Sequence, residues 1–72
     1  MKQILISTPF ITLGQLLKYA GMLQSGGEIK HFLAQNAITV NQVEENRRGR
    51  KLYPGDEIII NQTVSLRIGP KQ

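Results

Sequence analysis

An α+β fold, with two short helices packed on a small, mainly antiparallel sheet, is what this sequence predicts. Two blocks of apolar residues at helical spacing carry the helices, Leu13, Leu16, Leu17 and Ala20 in the first and Ile29, Phe32 and Leu33 in the second. Each block follows a capping signal, Thr12 with Gln15 and Ser25 with Glu28. From Ile38 onward the pattern changes to apolar residues at every second position, which is strand periodicity. The 72 residues fit a single domain spanning the chain.

In order along the chain, Lys2 to Ser7 reads as a strand with Ile4 and Ile6 on one face, and Thr8-Pro9 breaks it. Thr12 and Gln15 have capping-box spacing, and Ile11 with Leu16 fits a hydrophobic staple across that cap. Gly21 suits the left-handed position that closes the first helix. Met22-Leu23-Gln24 connects to the second helix, which Ser25 is expected to cap and Asn36 to end in a left-handed conformation. Ile38-Thr39-Val40 then forms a strand. Gln42 is a poor residue for positive φ, which argues against a two-residue type I′ hairpin at Asn41-Gln42. Tyr53-Pro54-Gly55-Asp56 fits a type II turn. Residues 57–61 and 64–68 read as closing strands, and residues 69–72 as a frayed tail.

The net charge of +4 is concentrated in one place. Lys2, Lys18 and Lys30 balance Glu28, Glu44 and Glu45, and Arg67 and Lys71 balance Asp56 and Glu57. The whole excess therefore lies in Arg47, Arg48, Arg50 and Lys51. A basic segment on a near-neutral body points to a local polyanion site, with a solvated basic loop as the plain alternative. There is no cysteine, His31 is the single histidine, and no Ser/His/Asp set or Gly-rich phosphate loop is present, so neither a metal site nor catalysis is expected. No run of about 18 apolar residues occurs, and the N-terminal apolar stretch is too short for a secretory signal, so the expected location is the cytoplasm.

Several pieces, in this order and spacing, resemble the RNA-binding domain first described in small-subunit ribosomal protein four, whose core is the alpha-L motif. They are Leu13-x-x-Leu16-Leu17-x-x-x-Gly21, Ser25, Ile38-Thr39-Val40-Asn41 and Leu52-Tyr53-Pro54-Gly55-Asp56-Glu57-Ile58. The likeness covers about Thr12 to Ile60. Phe10 to Lys18, Gly26-Gly27-Glu28 and Glu45 to Leu52 look like the stand-alone bacterial YaaA/YbcJ-like group within that family. The chain departs from the broader pattern at Gly26, where an Arg is usual, and at Asn41-Gln42, where Asn-Gly is usual.

The resemblance implies a non-catalytic protein that grips structured RNA, ribosomal or transfer RNA among the relatives, with no cofactor. It also implies that the basic segment lies beside the helix pair. Arg47, Arg48, Arg50 and Lys51 are then the leading RNA contacts, because arginine forks bridge phosphate oxygens and lysine supplies a point charge. Lys18 and Lys30, on outward helix faces, and His31 beside them are secondary candidates; Tyr53 is a candidate for stacking on a base. Phe10 reads as a packing residue, Glu44-Glu45 as a solvated strand end, and Asp56 as a turn residue. Two other classes stay open: a DNA-binding module reading through Lys30, His31 and Gln35, and a module that binds an acidic protein partner.

Overall fold

The computed structural model describes residues 2–23 and 25–71. Met1, Gln24 of the expected connection and Gln72 of the expected tail lie outside the described residues. The elements are β1 (Lys2–Ile6), β2 (Ile11–Thr12), α1 (Leu13–Tyr19), α2 (Gly27–Gln35), β3 (Ile38–Val40), β4 (Val43–Glu44), β5 (Lys51–Leu52), β6 (Glu57–Ile60) and β7 (Val64–Pro70). Five strands form one sheet in the order β1-β7-β6-β3-β4, and β2 and β5 form a separate antiparallel ladder. Every pairing is antiparallel except β1 with β7. Alternate residues of the large sheet, among them Ile4, Ile6, Leu66, Ile68, Ile58, Ile60, Ile38 and Val40, join Leu13, Leu16, Leu17, Ile29, Leu33 and Leu52 in one buried cluster.

Helix α1 forms where its caps and apolar face agree. Thr12 Oγ accepts from the Gln15 amide at 3.3 Å, and Gln15 Oε1 accepts from the Thr12 amide at 2.9 Å, so the capping box is complete. Ile11 and Leu16, the staple pair, are both buried. At the far end Gly21 has φ +77°, the Gly21 amide donates to Lys18 O at 3.0 Å, and the Met22 amide donates to Leu17 O at 3.0 Å. That pair of bonds is a Schellman closure, and a side chain at Gly21 would make its left-handed backbone costly.

Four expectations are corrected. Ser25 is not the cap of α2: Gly26 holds that position with helical dihedrals and no side-chain cap. Ser25 Oγ donates instead to Glu28 Oε1 at 3.2 Å, while Ser25 O accepts from the Glu28 amide at 3.3 Å. Asn36 does not end α2 in a left-handed conformation; its φ is −126°. Its backbone and side-chain amides both donate to Phe32 O, at 3.0 and 2.9 Å, which satisfies that terminal carbonyl in extended geometry.

Asn41 and Gln42 do form a two-residue hairpin turn, with φ of 51° and 72° and Val40 paired to Val43. The Asn41 side chain stabilises it, donating to Asp56 Oδ1 at 3.0 Å and accepting from the Glu57 amide at 3.0 Å. Finally, Gly69 and Pro70 are not frayed. They extend β7 opposite Leu5 and Ile6, and the Lys71 amide donates to Ile6 O at 2.7 Å.

The type II turn forms as its residues require: Gly55 has φ +101°, and the Asp56 amide donates to Tyr53 O at 2.9 Å. Asp56 Oδ2 accepts from the Tyr53 amide at 2.8 Å, so Tyr53 is fixed at both backbone groups.

Candidate nucleic-acid interface

Residues 45–50 form the loop between β4 and β5, and backbone bonds pin it at its start, its middle and its end. The Glu45 amide donates to Ile38 O at 2.9 Å, the Gly14 amide to Arg48 O at 3.0 Å, and the Leu13 amide to Arg50 O at 2.9 Å. The last two donors belong to the first turn of α1, whose amides have no partner within the helix. The loop therefore supplies part of the helix cap, and the helix fixes the loop. Gly14 serves the packing of α1 on α2 instead, since a Cβ there would crowd Ile29 Cδ1 at 3.1 Å but would meet Arg48 O at an ordinary 3.5 Å.

Within the loop, Glu45 organises two of the arginines. Arg47 donates Nε–H to Glu45 Oε2 at 3.0 Å and an Nη2–H to Oε1 at 3.1 Å, a bidentate pair. Arg50 adds Nη1–H to Oε1 at 2.9 Å, and the amides of Asn46 and Arg47 both donate to Oε2 at 3.1 Å. The Glu45 side chain is only 6% exposed beneath Arg47 at 73% and Arg50 at 35%. The Arg47 guanidinium, opposed by desolvation and helped by the Arg47 amide and Arg50, lowers the Glu45 carboxyl from 4.5 to about 2. Glu45 is thus the anchor of the segment, not part of a solvated strand end. Three cations against one carboxylate leave the loop at +2, and Lys51 at the start of β5 adds a fourth positive charge beside it.

Arg48 points its chemistry elsewhere. It is exposed, and among the described residues its side chain has no hydrogen bond or ion pair. It lines a depression over the helix pair with Thr12, Gly14, Lys18 and Gly26, and a second one with Lys30, Ala34 and Asn46. Arg48 is the residue the two depressions share, with Lys18 lining the first and Lys30 the second. Arg47, Arg50, Lys51 and Tyr53 line a different depression on the loop. His31 is exposed on α2 and lines neither side of the loop. Tyr19 lies with β1 residues away from the basic loop.

Sequence reasoning missed two contributors. Glu45 carried a signal in its spacing from Arg47 and Arg50, two and five residues on. Phe10 carried none until the β2–β5 register was known. Its ring lies 5.8 Å from that of Tyr53, and Lys51 Nζ sits 4.9 Å from its centroid. Among the described residues no group of three or more His, Cys, Asp or Glu is placed to hold a metal ion, and no helix is long and apolar enough to cross a membrane.

A short helix pair on a mixed, mostly antiparallel sheet, with a basic loop locked to the first helix, defines a small nucleic-acid-binding module of the alpha-L type. The chain belongs to the S4 domain family, which it matches over residues 4–68. It is similar to the Bacillus subtilis (strain 168) protein described as "Probable ribosome maturation protein RlbA", at 49% identity over 65 residues covering 90% of this chain and 92% of that protein. No solved structure matches it significantly.

Proposed function

We propose that this chain is a non-catalytic RNA-binding protein with a ribosome-related role in the cytoplasm, and that it holds structured RNA in the groove formed by α1, α2 and the basic loop. The observation that carries this reading is the bonding of the loop to the first turn of α1, Gly14 amide to Arg48 O and Leu13 amide to Arg50 O, with Arg48 lining one depression beside Lys18 and another beside Lys30. Membership of the S4 domain family supports RNA as the ligand, and the name of the Bacillus subtilis relative supports ribosomal RNA as the species to try first. Basic groups held on a rigid loop and two helix ends suit phosphate and shape recognition of folded RNA better than base reading in a DNA major groove.

The test is binding to a structured RNA hairpin, a single-stranded RNA and a DNA duplex of matched length across a salt series. The informative variant carries Lys18→Ala, Lys30→Ala and Arg48→Ala, which leaves the Glu45 pairs intact. Each lost phosphate contact flattens the slope of log affinity against log salt by roughly 0.7–0.9, so the variant is expected to lose about 2 to 3 of that slope. An unchanged slope removes the groove from the binding surface. Tighter binding to duplex DNA makes the protein a DNA binder, and no nucleic-acid binding at all points to an acidic protein partner.

A further inference from the structure

The loop has a second side, and its chemistry differs from that of the groove. Arg47, Arg50, Lys51 and Tyr53 line a depression that shares only Gly49 with the one over the helix pair. Its aromatic component is built on the small ladder. Ile11 pairs with Leu52, so Phe10 and Tyr53 are the next positions outward, opposite one another, and their rings meet at 5.8 Å and 49°. Lys51 Nζ lies 4.9 Å from the Phe10 centroid, so Phe10 is engaged by a cation and Tyr53 carries the open ring. Tyr53 is 48% exposed although its backbone is clamped on both sides by Asp56.

An exposed aromatic ring on a clamped backbone, bordered by Lys51 and by two arginines that share the Glu45 carboxylate, fits a flat ring bearing a phosphate. A base inside a duplex has both faces covered by its neighbours, whereas an unpaired nucleotide offers an open face to Tyr53. We infer that this side of the loop takes an unpaired nucleotide of the same RNA whose folded part occupies the groove. The preferred ligand is therefore a junction, a helix with an adjoining single-stranded nucleotide, straddled by the loop with Arg48 on the helical side and Tyr53 on the unpaired side. This rests on the RNA-binding reading above and narrows its target.

The experiment compares three RNAs: a blunt hairpin whose strands are joined by a non-nucleotide linker so that it holds no unpaired base, the same hairpin with a two-nucleotide single-stranded extension, and that extension with abasic sugars. The abasic form keeps the added phosphates and removes the bases. The wild-type protein is expected to bind the extended hairpin on the order of tenfold more tightly than the blunt one, and the abasic form to lose most of that gain. Tyr53→Ala is expected to abolish the gain, and Tyr53→Trp to retain it. Thermal melting of both variants checks that they fold. A gain that survives in the abasic RNA or in Tyr53→Ala overturns the stacking site. Equal affinity for blunt and extended hairpins overturns it and leaves the groove standing, whereas failure to bind any hairpin overturns the groove as well.

Discussion

At the scale of single residues, the most consequential is Glu45, an acid placed inside the one segment that gives the chain its positive charge. Its carboxylate receives five hydrogen bonds, three of them from Arg47 and Arg50 side chains, and this fixes where those arginines point. Because its pKa falls from 4.5 to about 2 on folding, its contribution to stability is complete above about pH 4.5 and is lost as pH falls towards 2. Titration of the Glu45 carboxyl by NMR is expected to give a midpoint near 2; a midpoint near 4.5 would show that the arginines do not hold it. Glu45→Gln is expected to remove the part of the acid unfolding curve that lies in that window. The sequence displayed the four cations plainly, but whether a neighbouring acid is solvated or enclosed depends on three-dimensional packing. That is why Arg47 and Arg50 read as free contacts and are found paired with Glu45, whereas among the described residues the Arg48 side chain has no such partner.

Among the elements, the first helix and the basic loop behave as one unit, because the helix's unpaired amides are satisfied partly by Thr12 and partly by loop carbonyls. Thr12→Ala removes the hydroxyl half of the capping box and is expected to cost about 1 kcal/mol. For a domain of this size that lowers Tm by about 4–8 °C, readable by calorimetry. The β3–β4 turn gives a prediction of the opposite sign. Gln42 holds φ of 72°, a region that costs an L-residue with a Cβ about 1–2 kcal/mol. Gln42→Gly is expected to raise Tm by several degrees with RNA affinity unchanged, and a fall in Tm would show that the Gln42 side chain contributes more than the strain it carries. Asn41 is the residue that fixes this turn, through bonds to Asp56 in the turn before β6 and to Glu57 at the start of β6.

Legibility followed range only in part. Determinants within about five residues were sufficient for the α1 capping box, the Gly21 closure and the Tyr53–Asp56 turn, but not for Ser25, which bonds the Glu28 side chain instead of capping α2, nor for Glu45, which pairs with Arg47 and Arg50. Where they come from afar the sequence was not sufficient. Asn36 and Asn41 are set by partners at Asn61, Asp56 and Glu57, and the strand character of Gly69 and Pro70 depends on β1 at the other end of the chain. The candidate site divided in the same way, for its cations were visible as composition, whereas the Phe10–Tyr53 pair required the β2–β5 register.

Over the whole molecule, one face carries the basic loop with the helix ends, while the strand β1 and the β6–β7 turn lie in other parts of the sheet. Binding through the loop therefore has a spatial signature. The most direct test is amide chemical-shift mapping of the isotopically labelled protein titrated with a structured RNA hairpin at near-physiological salt. Shifts concentrated at Gly14, Lys18, Gly26, Lys30 and residues 46–53, with Leu5, Gln62 and Val64 unmoved, are predicted. Shifts centred on β1 or the β6–β7 turn, with the loop unmoved, would contradict RNA recognition through this edge.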